Sequence, residues 1–368
     1  ESIAKKLHQD MTYYSYGLAI LANTGHLQLT DEELLAAFRR ENPWVEDFAL
    51  FTALKARYGG VMWTKWPDRE VRRRQPAALE RCRRELDGEI RYHLFCQYLF
   101  FRQWFALKRY CNGLGIRLFG DMPIYVAEDS ADTWTRPEVF QLDGEGVPKR
   151  VAGVPPDFFS ADGQLWGNPL YRWFSLRLHG YGWWVERMAA MAKMYDIVRI
   201  DHFIGFANYY SVPQGAPNAR TGKWIIGPGK SLFRTLERKI PGLNIVAEDL
   251  GCVNDRVRRL LTAVGYPGMR VLSFGFGGGA DNPHLPANYV TNSVVYTGTH
   301  DNDTVRGWIG TADDAALAQA RQLLGFDKPE DGPAAFVRAV LASRADTAMI
   351  PMQDVLGLGG WARMNRPG

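Results

Sequence analysis

The first third of the sequence repeats apolar residues at the three- and four-residue steps of amphipathic helices. Thr30 and Glu33 have capping-box spacing ahead of the apolar run LLAAF, and DFALFTALKARYGG keeps helical spacing up to a glycine pair. Residues 76–110 carry an aromatic and aliphatic stripe with the same spacing, which predicts a second helix or a pair of helices. The pattern therefore predicts a helical region over residues 1–112.

From residue 113 onward the pattern changes to short apolar runs that end in polar residues. In chain order these runs are IRLFGDMPIYV, DIVRIDHF, NIVAEDL, MRVLSFGF, SVVYTGTHDND and MIPMQDVLGL. Such runs, alternating with helix-like segments such as DRVRRLLTAVG, are typical of parallel strands with crossover helices. We therefore predict an α/β domain over residues 113–368. A (β/α) barrel is the first choice, and a doubly wound sheet is the alternative, although no phosphate-binding glycine motif follows any run.

Carboxylates stand where the predicted strands stop. Asp121 ends LFGD, Asp201 ends VRID, Glu248 and Asp249 end IVAED, and Asp301 follows YTGTH. In a barrel the carboxyl ends of the strands meet on the face that carries the chemistry. Like charges held together repel one another, so a cluster of carboxylates needs a chemical reason. Cleavage of a glycosidic bond supplies one, because it uses a carboxylate and a carboxylic acid on opposite sides of the bond.

Spacing and surroundings suggest different roles for two of these acids. Arg199 and Asp201 lie two residues apart on a strand and share a face, so we expect Arg199 to hold Asp201 ionised, as a nucleophile requires. Glu248 follows three apolar residues, and such surroundings can raise the pKa of a carboxyl enough for it to act as general acid and base. The competing interpretation is that these acids only cap the helices that follow.

Composition narrows the classes of partner. The net charge is only +4, from 44 basic and 40 acidic residues, so no nucleic-acid partner is expected. The four cysteines lie far apart, which predicts neither a zinc site nor disulfides. Without an apolar run of membrane-spanning length, we expect no membrane partner and a cytoplasmic location, or a plastid one if a leader was removed. The 12 Trp, 16 Tyr and 19 Phe suit either sugar platforms or an ordinary core.

Six longer segments carry a resemblance to a known family. They are GDMPIYVAEDSADTW, VAGVPPDFFSADGQLWGNPLYRW, DIVRIDHFIGFANYYSVP, IVAEDLG, GYPGMRVL and YTGTHDNDT. In these segments the chain resembles the amylomaltases, also called disproportionating enzymes or 4-α-glucanotransferases, which are related to the α-amylases. The resemblance implies a TIM-like (β/α)8 barrel with helical insertions. It also implies transfer between α-1,4-glucans and maltooligosaccharides by a retaining double displacement, with no metal or other cofactor.

The same resemblance implies roles for individual residues. Asp201 matches the nucleophile, Glu248 the general acid/base, and Asp301 a third carboxylate that stabilises the transition state and grips sugar hydroxyls. The residues expected around the glucose at the cleavage site are Asp121, Arg199 and His300. The segment Val154 to Pro169 resembles an active-site lid, and its residues expected to face the glucan are Asp157, Gln164 and Trp166.

The sequence departs from the family pattern at its ends. We find neither the strands expected ahead of the helical region nor the SPY-type segment, so the barrel is expected to lack its first strands in this chain. Unpaired strand edges would leave such a chain poorly soluble, self-associating or weakly active. Three alternatives stay open: an α-glucan hydrolase, a truncated glucan-binding protein without turnover, and a metal-dependent phosphohydrolase. The phosphohydrolase would use Asp201, His202, His300 and Asp301.

Overall fold

Helices occupy most of the described chain between residues 31 and 118, and strands alternate with helices in the described residues that follow. The structure is a computed structural model that describes residues 31–156, 160–251 and 253–366. The helices are α1 (Asp31–Glu41), α2 (Trp44–Arg57), α3 (Arg69–Arg72), α4 (Pro76–Glu85), α5 (Asp87–Gly113), α6 (Ala131–Thr135), α7 (Trp173–Leu178), α8 (Gly182–Met194), α9 (Lys230–Lys239), α10 (Asp255–Val264), α11 (Val305–Thr311), α12 (Asp314–Leu324), α13 (Gly332–Leu341) and α14 (Met352–Val355). The strands are β1 (Phe119–Pro123), β2 (Arg150–Val154), β3 (Gln164–Pro169), β4 (Ile197–Asp201), β5 (Asn208–Pro213), β6 (Lys223–Ile226), β7 (Ile245–Ala247), β8 (Gly268–Val271), β9 (Ser293–Tyr296) and β10 (Thr347–Met349).

The chain divides into two compact units. The first comprises residues 1–107 with 129–135, and the second comprises 108–128 with 136–368. The two domains expected from the sequence stay a prediction. None of the helices that the structure describes has the length and apolar character needed to cross a bilayer.

The first unit is helical, as its sequence pattern indicates. The predicted helices are present: α1 covers LLAAF, α2 covers the segment before the glycine pair, and the long aromatic segment forms the pair α4 and α5. Its core brings together Phe51, Trp66 and Trp134, whose ring centroids lie 5.6–5.8 Å apart in tilted and edge-on arrangements. Arg74 lies over the Trp134 ring at 4.3 Å, which adds a cation–π contact. The predicted capping box begins at Thr30, which lies outside the described residues.

Five of the six apolar runs of the second unit contain or overlap a parallel strand, so the predicted α/β class is confirmed. The sixth run, MIPMQDVLGL, begins only at the last residue of β10 and continues into helix α14. The strands form two parallel sheets, in the orders β1-β4-β7 and β8-β9-β10. Between these sheets the Ala247 N–H donates to the Pro267 carbonyl at 2.9 Å, and the Met269 N–H donates to Asp249 Oδ1 at 2.7 Å. The strands in the described part of the chain thus form two open parallel sheets, and no closed eight-stranded barrel is found there.

The two faces of β4 have different neighbours. Val198 and Ile200 are fully buried in the main core, where helices α8, α9 and α10 pack against the sheet. Burial of each side chain stabilises the fold by about 1.5–3 kcal/mol. Ile197 points the other way and packs in a smaller cluster with residues of β7, β8 and β9. Because side chains alternate along a strand, Arg199 and Asp201 share this second face.

A third sheet in this unit was not expected. Strands β3, β2, β5 and β6 form an antiparallel sheet in that order. The interpretation of 154–169 as a loop is therefore wrong at its ends, because Val154 ends β2 and Gln164–Pro169 is β3, whereas its resemblance to an active-site lid stays a prediction. Its backbone approaches β2 so closely that a Cβ on Gly153 would lie 2.4 Å from the Gln164 carbonyl oxygen. A glycine is required there for the two strands to pair.

Candidate active site

Arg199 connects two carboxylates on adjacent strands, Asp121 in the middle of β1 and Asp201 at the end of β4. Its side chain is buried, with Nη1 donating to Asp121 Oδ2 at 3.0 Å and Nη2 donating to Asp201 Oδ1 at 2.5 Å. The strand register explains both contacts, since Asp121 stands opposite Arg199 and Asp201 follows two residues later on the same face. The expected pair of Arg199 and Asp201 is confirmed. Each carboxylate is about two-fifths exposed, so both stay accessible to a ligand.

Glu248 follows β7 directly and is buried. Its Oε2 accepts the N–H of His202 and its Oε1 accepts the N–H of Leu250, both at 2.7 Å. Burial raises the pKa of Glu248 to about 7, and the negative charge of Asp201 adds to this rise. The two N–H donors and Arg199 oppose it without cancelling it. The raised pKa expected from the apolar run before Glu248 is confirmed, and this carboxyl can hold or release a proton near neutral pH.

His202 connects Glu248 to an aromatic side chain. Its backbone is left-handed, with φ 50° and ψ 47°, which turns the chain sharply after β4. Desolvation of the ring lowers the pKa of His202 to about 4, so the imidazole is neutral at pH 7, although part of the residue remains exposed. The Trp166 ring meets it edge-on, with centroids 4.8 Å apart. Trp166 is 36% exposed, and its Nε1 donates to Gln164 Oε1 at 3.0 Å.

His300 and Asp301 approach the same carboxylates from the loop after β9. His300 Nε2 lies 3.3 Å from Asp301 Oδ2 and 3.9 Å from Asp121 Oδ2. The other oxygen of Asp301, Oδ1, accepts from Asn365 Nδ2 at 3.0 Å. A continuous series of polar contacts therefore runs from Asp201 through Arg199, Asp121 and His300 to Asp301.

Asp249, the neighbour of Glu248, has a structural role. Its side chain is buried, accepts the Met269 N–H and pairs with Arg270 Nη1 at 3.1 Å. A Cβ on Gly268 would lie 2.5 Å from Asp249 Oδ2, so the glycine makes room for this carboxylate. Of the two acids that end IVAED, Glu248 faces the other carboxylates and Asp249 joins β7 to β8.

The structure thus brings together most of the predicted site residues. The contacts above link eight of these residues, some of them directly and some by way of His202. The eight are Asp121, Gln164, Trp166, Arg199, Asp201, Glu248, His300 and Asp301. Asp157 lies outside the described residues. In the described ranges, no three His, Cys, Asp or Glu side chains are grouped so that they could hold a metal ion.

The comparison with protein families decides the class of this site. The family model described as 4-alpha-glucanotransferase matches residues 14–368. The chain belongs to this family. The predicted resemblance and the predicted enzyme class, 4-α-glucanotransferase, are therefore confirmed.

Individual members of the 4-alpha-glucanotransferase family agree with this assignment. The chain is 48% identical to the 4-alpha-glucanotransferase of Thermus thermophilus over 346 residues, which cover 92% of this chain and 69% of the relative. It is 43% identical to that of Clostridium butyricum over 340 residues, covering 92% and 70%. The amylomaltase of Streptococcus agalactiae, solved in complex with acarbose, has a TM-score of 0.88 at 40% identity and covers 91% of this chain and 68% of its own. The chain thus spans about two thirds of the length of these 4-alpha-glucanotransferases.

Three contacts of the site were not anticipated from the sequence. The N–H groups of His202 and Leu250 hold Glu248, and Asn365 holds Asp301 across a separation of 64 residues. Backbone donors leave no trace in residue identity, and nothing local in ARMNRPG points to a distant carboxylate. Only the folded chain brings these groups together.

Proposed function

We propose that the site transfers α-1,4-glucan segments by a retaining double displacement in which Asp201 is the nucleophile and Glu248 the general acid and base. One observation carries the proposal: a buried acid with a pKa near 7 stands beside a carboxylate that is ion-paired with Arg199. Two carboxyl groups whose surroundings differ in this way are what acid-assisted cleavage of a glycosidic bond requires, and an ion-paired carboxylate beside the acid suits the nucleophile of the retaining course.

In the first step, Asp201 attacks the anomeric carbon while protonated Glu248 donates its proton to the departing glycosidic oxygen. The glycosidic bond breaks, a covalent glycosyl-enzyme forms, and the released glucan leaves with a free 4-hydroxyl. In the second step, ionised Glu248 takes the proton of an acceptor 4-hydroxyl, whose oxygen attacks the same carbon and displaces Asp201. Asp301 and His300 stand at the other end of this series of contacts, where both can bind sugar hydroxyls and the Asp301 carboxylate can stabilise the developing positive charge.

Transfer requires the acceptor sugar to compete successfully with water. Trp166 offers a partly exposed indole two contacts away from Glu248, by way of His202. A sugar ring stacked on this indole would hold its 4-hydroxyl near the base at a high effective concentration. We therefore propose that Trp166 and Gln164 bind the acceptor, with maltooligosaccharides and longer α-1,4-glucans as substrates.

The two parallel sheets support a wider proposal about the fold. Four of their six strands, β1, β4, β7 and β9, supply site residues from their carboxyl-terminal halves or the loops that follow, as strands of a TIM-like barrel do. We propose that all six are the corresponding strands of such a barrel, with the antiparallel sheet as an insertion. The expected poor solubility or weak activity of this chain alone, and its cytoplasmic location, stay predictions.

Incubation of the purified chain with maltotriose, with products separated over time, tests the function. We expect glucose together with a ladder of longer maltooligosaccharides. Progressive shortening alone would identify a hydrolase, and binding of maltotriose without any product would identify a glucan-binding protein. The metal-dependent phosphohydrolase alternative would instead give no product from maltotriose and a chelator-sensitive release of phosphate from a phosphate ester, which would contradict the proposed mechanism.

A further inference from the structure

Two polar atoms beside the proposed site are buried and have no hydrogen-bond partner among the described residues. One is Nε of Arg199, whose two terminal nitrogens already serve Asp121 and Asp201. The other is the hydroxyl of Tyr296, the last residue of β9, which is 7% exposed. A buried donor without an acceptor is costly, so each such group in a folded protein calls for an explanation.

Both side chains lie on the same side of the parallel sheets. Arg199 is in register with Val246 of β7, and register partners in parallel strands point to the same face. Val246 belongs to the interior cluster that also contains Met269, Val271 and Tyr296. The Tyr296 ring therefore packs on the face from which Arg199 projects.

The electrostatics of Tyr296 agree with this placement. Burial raises the pKa of its hydroxyl to about 12, and Arg199, Asp121 and Glu248 are the charged groups that act on it. At neutral pH the hydroxyl is therefore a neutral group with a proton to donate. The Arg199 Nε–H is likewise a donor only, so a direct hydrogen bond between the two would leave the tyrosine proton unpaired. An oxygen that accepts from both would satisfy the two donors at once.

We propose that Tyr296 is a positioning residue for Arg199, acting through one buried water that accepts both the Nε–H of Arg199 and the O–H of Tyr296. Buried waters commonly pair polar groups that the protein leaves unsatisfied, and such bridges are nearly as favourable as direct hydrogen bonds. The third nitrogen of the guanidinium is then held as firmly as the two that bind carboxylates. This role rests on the proposed function, because what it positions is the cation beside Asp201.

The Tyr296→Phe variant removes the hydroxyl and keeps the ring. The guanidinium loses one of its three anchors, so we expect kcat to fall about tenfold while KM changes little, since the sugar contacts remain. The charged groups facing Glu248 are Arg199 and Asp201, and the neighbouring His202 ring is neutral. The positive charge of Arg199 lowers the pKa of Glu248, and a less firmly held Arg199 lowers it less. The pKa of Glu248 should therefore rise in the variant, and the alkaline limb of the pH profile should move to higher pH.

Tyr289→Phe is the matched control. This tyrosine is also fully buried, but its hydroxyl donates to the His284 carbonyl at 3.0 Å. Its removal should lower thermal stability and leave the alkaline limb in place. A general effect of removing a buried hydroxyl would appear in both variants, whereas a positioning effect would appear in Tyr296→Phe alone.

A high-resolution crystal structure of the chain, combined with pH profiles of maltotriose transfer, tests the inference. We expect a water within about 3.2 Å of both Arg199 Nε and Tyr296 Oη, its loss in Tyr296→Phe, and the alkaline shift. The inference would be overturned by the absence of this water, by another hydrogen-bond partner for either atom, or by a pH profile in Tyr296→Phe that equals that of wild type. If the wild-type chain still transfers glucose units from maltotriose in these cases, the proposed function is upheld. If the wild-type chain carries out no transfer, the proposed function fails, and the crystallographic water alone decides the inference.

Discussion

The backbone N–H of His202 donates to Oε2 of Glu248 at 2.7 Å. His202 follows Asp201 directly, so the turn after β4 holds the proposed acid at a set position relative to the proposed nucleophile. The next contact strengthens this coupling, because the Phe203 N–H donates to the Glu248 carbonyl at 3.0 Å. The two carboxyl groups are thus positioned by adjacent strands and by the main chain, with little freedom for either to move alone.

Replacing the proposed nucleophile should separate binding from turnover. Asp201→Asn keeps the shape of the side chain and an oxygen that can accept from Arg199, but it cannot form the covalent intermediate. We expect transfer from maltotriose to fall about a thousandfold or more, with calorimetric affinity for maltotriose within a few fold of wild type. Turnover close to wild type would remove Asp201 from its assigned role.

The activity should depend on pH through Glu248. The first step needs this carboxyl protonated, and its pKa is raised to about 7 in the free enzyme. We therefore expect kcat/KM for maltotriose to fall as pH rises through about 7. Initial rates from pH 4 to pH 9 at constant ionic strength measure this limb. A profile flat to pH 9 would contradict a Glu248 acid.

Ionisation of the buried Glu248 carboxyl should lower the free energy of unfolding at neutral pH. Its pKa rises from 4.5 to about 7 on folding, so the folded chain binds the proton more tightly. The stability from this group is fully present below pH 4.5 and is lost as pH rises through 7, by about 3 kcal/mol. Glu248→Gln cannot titrate, so its stability relative to wild type should improve by about that amount between pH 4 and pH 8.

Chemical unfolding of Glu248→Gln and wild type at both pH values measures this difference. The glutamine amide also alters the hydrogen bonds from the His202 and Leu250 N–H groups. This effect is the same at pH 4 and pH 8, so it cancels when the stability differences at the two pH values are compared. Glu186→Gln is the control, because this exposed carboxyl meets Arg136 at the surface and stays in contact with water when the chain folds. A difference for Glu248→Gln that is the same at pH 4 and pH 8 would show that burial does not raise its pKa.

Arg199→Lys should impair catalysis despite retaining the charge. A lysine presents a point charge and cannot reach Asp121 and Asp201 with separate nitrogens in the fixed geometry of a guanidinium. Loss of one charge-assisted hydrogen bond predicts a fall in kcat/KM of about tenfold to a hundredfold. Arg258→Lys, at an exposed pair with Asp255, should leave it unchanged. Equal activity in both variants would show that the two separate hydrogen bonds from the Arg199 guanidinium are not important for catalysis.

The junction between the two parallel sheets should be sensitive to a single methyl group. Gly268→Ala would place a Cβ 2.5 Å from Asp249 Oδ2 and disturb the carboxylate that accepts the Met269 N–H. We expect a loss of about 1–3 kcal/mol in the free energy of unfolding. Gly310→Ala in helix α11, where a Cβ meets nothing within 4 Å, should instead stabilise by about 0.5–1 kcal/mol. Thermal melts of both variants compare them directly.

The sequence by itself determined the helices of the first unit, the parallel strands of the second unit and the identity of the chemical groups. The period of the apolar residues distinguished the helices of the first unit from the parallel strands of the second, because burial on one helical face and burial between layers leave different patterns. The alternation along VRID was enough to pair Arg199 with Asp201, and the apolar run before Glu248 was enough to anticipate its raised pKa. Each of these inferences depends on neighbours within a few residues.

Only the tertiary structure decided how distant segments meet. The antiparallel sheet was missed because its strands pair through backbone groups that every residue carries, so QLWGNP could be taken for part of a lid. The same reason hid the N–H donors to Glu248, and the contact from Asn365 to Asp301 spans 64 residues. The tertiary structure also gave different roles to Glu248 and Asp249, two acidic residues that are adjacent in sequence. Their side chains leave the end of β7 on opposite faces, so that one carboxyl lies in the site and the other contacts the neighbouring sheet.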